Sequence, residues 1–275
     1  MKRTVSLVIV LLIAFVIIYF VEHTKAQTGF QKELSVEKMD VQDEFNGKKG
    51  TFILRDLENN KTLIYNKKRA SSRQAPIGTF QIPSSLIALE TKTVKDEYEV
   101  KRWDGSDQGV DEWNRDLSLA SSLRSSAPWY EKEIVKDMGI DNVNKWLQRL
   151  NYGNEKTEQN HLFWEDNSLQ ISPLEQANFL ESLYHEDLPF SSSSMKKVKR
   201  IMIEKETGTY TLHSVKGSKG EHKSGWYIGF VTVKGHPYVF VTNIEGSGNS
   251  DESAQAKKIT EKIFKKYGVL KGASL

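Results

Sequence analysis

The hydrophobic pattern of the chain changes period twice. Thr51-Phe52-Ile53-Leu54-Arg55-Asp56 and Thr62-Leu63-Ile64-Tyr65-Asn66 are β-rich runs, and Leu57-Glu58-Asn59-Asn60-Lys61 between them carries an Asn-Asn turn signal, so the pair reads as a hairpin. The spacing then becomes helical. Ile134, Met138, Val143, Trp146, Leu147 and Leu150 recur about every third or fourth residue, as do Leu174, Ala177, Phe179, Leu180 and Leu183. Strands return in Trp226-Tyr227-Ile228-Gly229-Phe230-Val231-Thr232-Val233 and Tyr238-Val239-Phe240-Val241-Thr242-Asn243, joined through Lys234-Gly235-His236-Pro237. A last amphipathic helix sets Ile259, Ile263, Phe264 and Tyr267 on one face, with Gly268 as its stop. This order predicts an α/β chain of the α+β kind: an antiparallel sheet flanked by terminal helices and joined to a mostly helical subdomain. No internal repeat is visible.

The N-terminus stands apart from this pattern. Lys2 and Arg3 precede an unbroken apolar run from Leu7 to Val21, closed by Glu22. Such a run is a targeting segment, at the long end for a signal peptide and short of the roughly 20 residues that span a bilayer. Ala26, with Thr24 two residues before it, offers a cleavage site, so residues 1–26 are expected to be either a removed leader or a retained anchor. The basic residues before the run place everything after it across the cytoplasmic membrane, with contact to the membrane only through this segment. Residues 27–46 read as a leading segment, a tether or a short strand or helix, and the domain proper is expected over 47–270.

Composition narrows the chemistry. With 39 Lys+Arg against 36 Asp+Glu the net charge is +3, and the two signs are interleaved, which argues against a nucleic-acid partner. The chain has no cysteine, which removes disulfides, thiol nucleophiles, Cys-type metal centres and a lipid-modified cysteine. Its six histidines, His23, His161, His185, His213, His222 and His236, have no ligand spacing, so no metal and no cofactor are expected. The basic run Lys196-Lys197-Val198-Lys199-Arg200 reads as a solvated helix face.

Candidate chemistry comes from an ordered series of short motifs. Arg69 to Glu90 reads RASSRQAPIGTFQIPSSLIALE; then come Trp103-Asp104-Gly105, Trp113-Asn114-Arg115-Asp116, Ser126-Ala127-Pro128-Trp129-Tyr130, Tyr152-Gly153-Asn154, Phe163-Trp164, Leu169-Gln170-Ile171-Ser172-Pro173-Leu174-Glu175-Gln176 and Gly225-Trp226-Tyr227-Ile228-Gly229-Phe230. In this order the series resembles the class D β-lactamases and related penicillin-recognising transpeptidases, and the likeness covers almost all of the chain after the leader. The resemblance implies a serine that attacks the lactam carbonyl and, one helical turn on, a carbamylated lysine as general base. It also implies a β-lactam or cell-wall peptide as ligand.

The two decisive positions depart from that pattern. Where the resemblance puts the serine this chain has Gly78, and where it puts the lysine it has Gln81. Glycine carries no nucleophile, and a glutamine amide neither accepts a proton near neutral pH nor becomes carbamylated. Thr79 has a hydroxyl, but one residue along a helix turns the side chain by about 100°. The S-x-x-K spacings at Ser35–Lys38 and Ser193–Lys196 read as chance matches in a chain rich in both residues.

The family's K-[ST]-G strand, which binds the ligand carboxylate, is also displaced. Lys223-Ser224-Gly225 has the letters but runs straight into Gly225-Trp226, whereas counting back from Trp226 puts the expected place on Val215-Lys216-Gly217. Three alternatives follow: Lys216 reaches the site through a bulge, Lys223 does, or the cation is gone. Ser126 is the active-site hydroxyl that remains, with a helix N-cap before Pro128, Glu131 and Glu133 as its alternative role. Pro128 stands where the family has an apolar residue against its lysine. Trp164 matches the tryptophan that holds the family's carbamylated lysine, or else is core.

The candidate site is therefore Gly78, Gln81 and Ser126 with Lys216, Lys223 and Trp164 around a noncovalent ligand. The resemblance leaves three readings: a catalytically silent binding or sensing module, a β-lactam hydrolase with a rearranged site, and a structural remnant without ligand.

Overall fold

The computed structural model describes residues 35–157, 162–217, 224–246 and 251–272. The expected leader, His161, His222 and Lys223 lie outside them. No helix of the described residues is long and apolar enough to cross a membrane.

Among the described residues the main sheet has seven strands, in the spatial order β1 (Ser35–Lys38), β3 (Lys61–Tyr65), β2 (Gly50–Asp56), β9 (His236–Glu245), β8 (Ser224–Val233), β7 (Tyr210–Lys216) and β6 (Ile203–Glu206), and β4 (Val100–Lys101) pairs with β5 (Leu117–Ser118) apart from it. Both expected hairpins are present. β2 (Gly50–Asp56) pairs antiparallel with β3 (Lys61–Tyr65), and β8 (Ser224–Val233) with β9 (His236–Glu245). Asn60, Lys234 and Gly235 take positive φ of 50°, 51° and 87°, as the tight turns require. β2 pairs with β9, which brings the first and last hairpins into one sheet. β7 (Tyr210–Lys216) and β6 (Ile203–Glu206) extend it beyond β8. His236, opening β9, sits between Asp56 and Glu58 of the first hairpin, each 2.7 Å from one ring nitrogen.

From Ser35 onward the leading segment forms a strand and a helix. β1 (Ser35–Lys38) pairs parallel with β3, the one parallel edge of the sheet, and α1 (Gln42–Phe45) follows. Met39, Val41 and Phe45 are buried against Phe52 and Phe264, and the compact unit begins at Ser35, so the expected start near Gly47 falls inside it.

Strand alternation gives the sheet two apolar faces. Phe52, Leu54, Tyr227, Val231 and Phe240 pack beneath α9 (Glu252–Lys266) through Ile259, Ile263 and Phe264. Ile53, Val215, Trp226, Ile228 and Val239 face the helical block. That block contains α3 (Gln81–Glu90), α4 (Leu119–Ser125), α5 (Pro128–Met138), α6 (Ile140–Leu150), α7 (Pro173–His185) and α8 (Ser192–Ile201), and the four-residue α2 (Lys67–Ala70) leads into it. The periodicity read across Ile134 to Leu150 is two helices, because Gly139 at φ 76°, ψ 138° breaks it. The five-residue step from Met138 to Val143 was the sequence sign of that break.

The basic run is ion-paired to other parts of the chain. Lys199 meets Glu186 at 2.7 Å, Lys196 meets it at 3.9 Å, and Lys197 and Arg200 flank buried Glu97, so this face of α8 is largely neutralised. Of the chance S-x-x-K matches, Ser35–Lys38 lies on exposed β1 and both Ser193 and Lys196 are exposed.

Candidate functional site

The segment from Pro76 to Gln81 is pinned on both sides. Its 3-10 turn, Ile77–Phe80, runs directly into α3. Before it, Gln74 bridges Ile171, and the Ile77 N–H donates to the Trp164 carbonyl at 2.9 Å. Ile77 adopts φ 50°, a conformation that a β-branched residue takes only when its surroundings impose it. The next residue is Gly78, buried and without a side chain to use this geometry.

The donors around Gly78 are bonded to their neighbours, while Gln176 Oε1 has no partner among the described residues. Thr79 Oγ1 donates to the Pro76 carbonyl at 2.6 Å and accepts from Gln176 Nε2 at 2.9 Å; Gln176 Nε2 also donates to the Tyr152 hydroxyl at 3.1 Å. Thr79 is fully buried, so its hydroxyl is a structural group. Gln176 is placed by the capping box at the start of α7, where Ser172 Oγ accepts from the Glu175 N–H and Glu175 returns the bond to the Ser172 N–H at 2.8 Å. Gly153 turns at φ 61°, while Asn154 bonds the Ser168 carbonyl and the Gln170 N–H, so Tyr152-Gly153-Asn154 has a structural role.

Gln81 is buried and donates to the Ala127 carbonyl at 3.3 Å; its Oε1 has no partner among the described residues. Trp164 is 1% exposed and stacks on Phe80 with ring centroids 5.4 Å apart, so it belongs to the core and is closed to a ligand in this conformation.

Glu131 is the residue whose burial sequence reasoning missed. Named from the sequence only as a carboxylate near a helix start, it is 2% exposed and accepts from Ser84 Oγ at 2.6 Å. Burial raises its pKa to about 8, while bonds from Ser84 and Gln81 pull it down in part. It is therefore largely protonated at neutral pH, directly beside the expected base position. The signal was available: Glu131, Ile134, Val135 and Met138 share one stripe at i, i+3, i+4 and i+7, and all four are buried.

Ser126 has a different part from the expected N-cap. Ala127 is the N-cap of α5, without a side-chain bond, while Ser126 closes α4 in the left-handed conformation at φ 55°, ψ 44°. Two indoles brace this corner: Trp113 Nε1 donates to the Ser125 carbonyl at 2.9 Å, and Trp129 Nε1 to the Trp113 carbonyl at 2.8 Å. The Ser126 hydroxyl donates to the Lys216 backbone carbonyl at 3.3 Å.

The strand register decides where Lys216 lies. Val215 pairs with Ile228 and Lys216 with Tyr227 in an unbroken ladder, so no bulge brings Lys216 across. Val215 occupies the face of the helical block, and Lys216 shares the face of Tyr227 and α9. The two meet a cavity of about 240 Å³ at the strand end, whose polar wall includes Ser126, Arg124, Lys216, Lys257, Glu204 and Ser214. Glu204 binds Ser214, Lys257 and, at 2.7 Å, the Tyr227 hydroxyl, and these partners hold its carboxyl below the ordinary range although burial opposes them. The structure thus joins Ser126 with Lys216, and Gln81 with the Ala127 carbonyl beside it, but leaves Trp164 in the core.

Comparison with known proteins matches this architecture. The penicillin binding protein transpeptidase domain aligns with residues 36–266. The chain belongs to that family. Within it, the probable β-lactamase YbxI of Bacillus subtilis (strain 168) is 44% identical over 272 residues, 98% of this chain and 99% of the relative. The crystal structure of a class D β-lactamase from Bacillus subtilis superposes with a TM-score of 0.80 at 46% identity, over 84% of this chain and 97% of that one. The C-terminal domain of the Bacillus licheniformis BlaR penicillin-receptor gives a TM-score of 0.81 at 33% identity, over 87% and 99%. This family therefore contains both β-lactamases and a penicillin receptor on the fold seen here.

Proposed function

We propose that the chain is a catalytically silent member of the class D β-lactamase branch, exported across the cytoplasmic membrane, which recognises a β-lactam or cell-wall peptide without forming a covalent bond. One observation carries the reading. The serine and lysine positions are Gly78 and Gln81, and the adjacent hydroxyl, Thr79, is fully buried and committed to Pro76 and Gln176. In a serine hydrolase, loss of the nucleophile alone costs about 10⁶ in turnover. Export is supported by Lys2 and Arg3 ahead of the apolar run Leu7 to Val21. The likeness to a penicillin receptor favours a role in binding or sensing.

The test is turnover of a chromogenic cephalosporin by the folded chain, with thermal stability followed across a penicillin titration. A cephalosporin that persists while the drug raises the melting temperature supports noncovalent recognition. Turnover above the spontaneous rate overturns the silent reading, and an unmoved melting temperature at millimolar drug overturns recognition of β-lactams.

A further inference from the structure

A second cleft, of about 900 Å³, opens where α1, the start of β2, the end of β3, α2 and the end of β9 meet. It shares no lining residue with the Ser126 cavity. Lys48, Lys49, Lys68 and Arg69 line it against Asp43 and Glu245, and Lys48 is paired at 3.4 Å with buried Glu252, which leaves an excess of one positive charge.

Arg69 is its least satisfied member. Its Nε donates to Asn243 Oδ1 at 2.9 Å, and the Asn243 amide is itself held by Ser224 Oγ at 2.8 Å, so the guanidinium is fixed from behind. NH1 stands 3.8 Å from Glu245, beyond hydrogen-bond length, and NH2 is buried from solvent behind it without a partner among the described residues. The Arg69 side chain is only 14% exposed, whereas Glu245 is half exposed and stands equally far, 3.8 Å, from Lys49. Burial disfavours the guanidinium charge, and this loosely held carboxylate offsets the cost only in part. Lys68 is exposed and has no carboxylate partner among the described residues. The cleft is therefore short of anionic charge at a fixed guanidinium, with movable lysines beside it.

We propose that this cleft binds a phosphate-bearing polyanion, one phosphate displacing Glu245 to take the Arg69 fork while Lys49 and Lys68 hold its neighbours. A guanidinium matches two phosphate oxygens at once, which an ammonium does not. The cleft is also much larger than one phosphate, and its cations are spread along it, which suits repeated groups. This site is independent of the Gly78 region and of the reading given for it.

Isothermal titration of the full chain with short-chain inorganic polyphosphate tests the proposal. The native chain is expected to bind, with affinity falling steeply as salt rises. Lys49→Gln with Lys68→Gln, both exposed, is expected to weaken binding about tenfold at low salt, since two phosphate contacts go. Arg69→Lys is expected to weaken it further while keeping the charge. No heat with the native chain overturns the site, as does equal affinity in the lysine variant. Binding to phosphatidylglycerol vesicles without binding to polyphosphate overturns the polymer assignment.

Discussion

Around Gly78 and Gln81 the protein is sealed, while around Ser126 it opens onto a cavity edged by cations. In the sealed region, the Thr79, Tyr152 and Ser84 hydroxyls and the Gln81 and Gln176 amide nitrogens are bonded within the site, the two amide oxygens have no partner among the described residues, and Glu131 keeps its proton. In the open region, Ser126 and Lys216 border about 240 Å³ of space, linked by a serine-to-carbonyl bond. Yet both keep costly backbone: Ile77 at φ 50° and Ser126 at φ 55°. The backbone at these two places is therefore held whatever side chains stand there, since capping boxes, indole braces and strand register set it independently of the reacting groups.

The largest effect that would sharpen this contrast is restored chemistry. Gly78→Ser with Gln81→Lys is expected to turn an unlabelled chain into one labelled by fluorescent penicillin, recovering part of the roughly 10⁶ that a missing nucleophile costs. Absence of label in the folded variant would put a further block at β7, where Val215 holds the face that a binding lysine would need.

Stability separates the two regions next. Phe80→Ala, which removes the ring stacked on Trp164 and packed against Tyr152 and Phe163, should cost about 3–5 kcal/mol in denaturant unfolding. Lys216→Ala at the open edge should stay within about 0.5 kcal/mol. Comparable losses at the two positions would erase the distinction.

Glu131 makes the contrast pH-dependent. Its carboxyl is raised from 4.5 to about 8 in the folded chain, so the folded state binds more protons between those values and stability falls as pH rises through them. The native chain should therefore lose up to about 1.4 kcal/mol per pH unit over this window relative to Glu131→Gln. Parallel stability curves for the two would show that Glu131 titrates normally. Ser126→Ala lies between Phe80→Ala and Lys216→Ala. Its partly buried bond to Lys216 should contribute about 0.5–1.5 kcal/mol, and a loss near that of Phe80→Ala would mean that this corner carries the fold.

The sheet, its two hairpins and the last helix were legible because period-two and period-3.6 patterns name the buried face directly. That Gly78 and Gln81 stand where the resemblance puts serine and lysine is read from the sequence alone, since the flanking motifs fix the count. Other features were not. Glu131 was hidden because a carboxylate in a first helical turn has an ordinary surface role, and only its place in the Ile134–Met138 stripe betrays its burial. The true role of Ser126 depended on a left-handed residue between two helices, a conformation that Ser-Ala-Pro does not announce. The contribution of Gln176 lies across 97 residues from Thr79, a separation that local pattern does not bridge.

If no serine of this chain opens a lactam, the intact mass of the protein, shown to be folded by circular dichroism, stays unchanged after incubation with benzylpenicillin. A mass gain of one opened β-lactam, mapped to a serine, would contradict it.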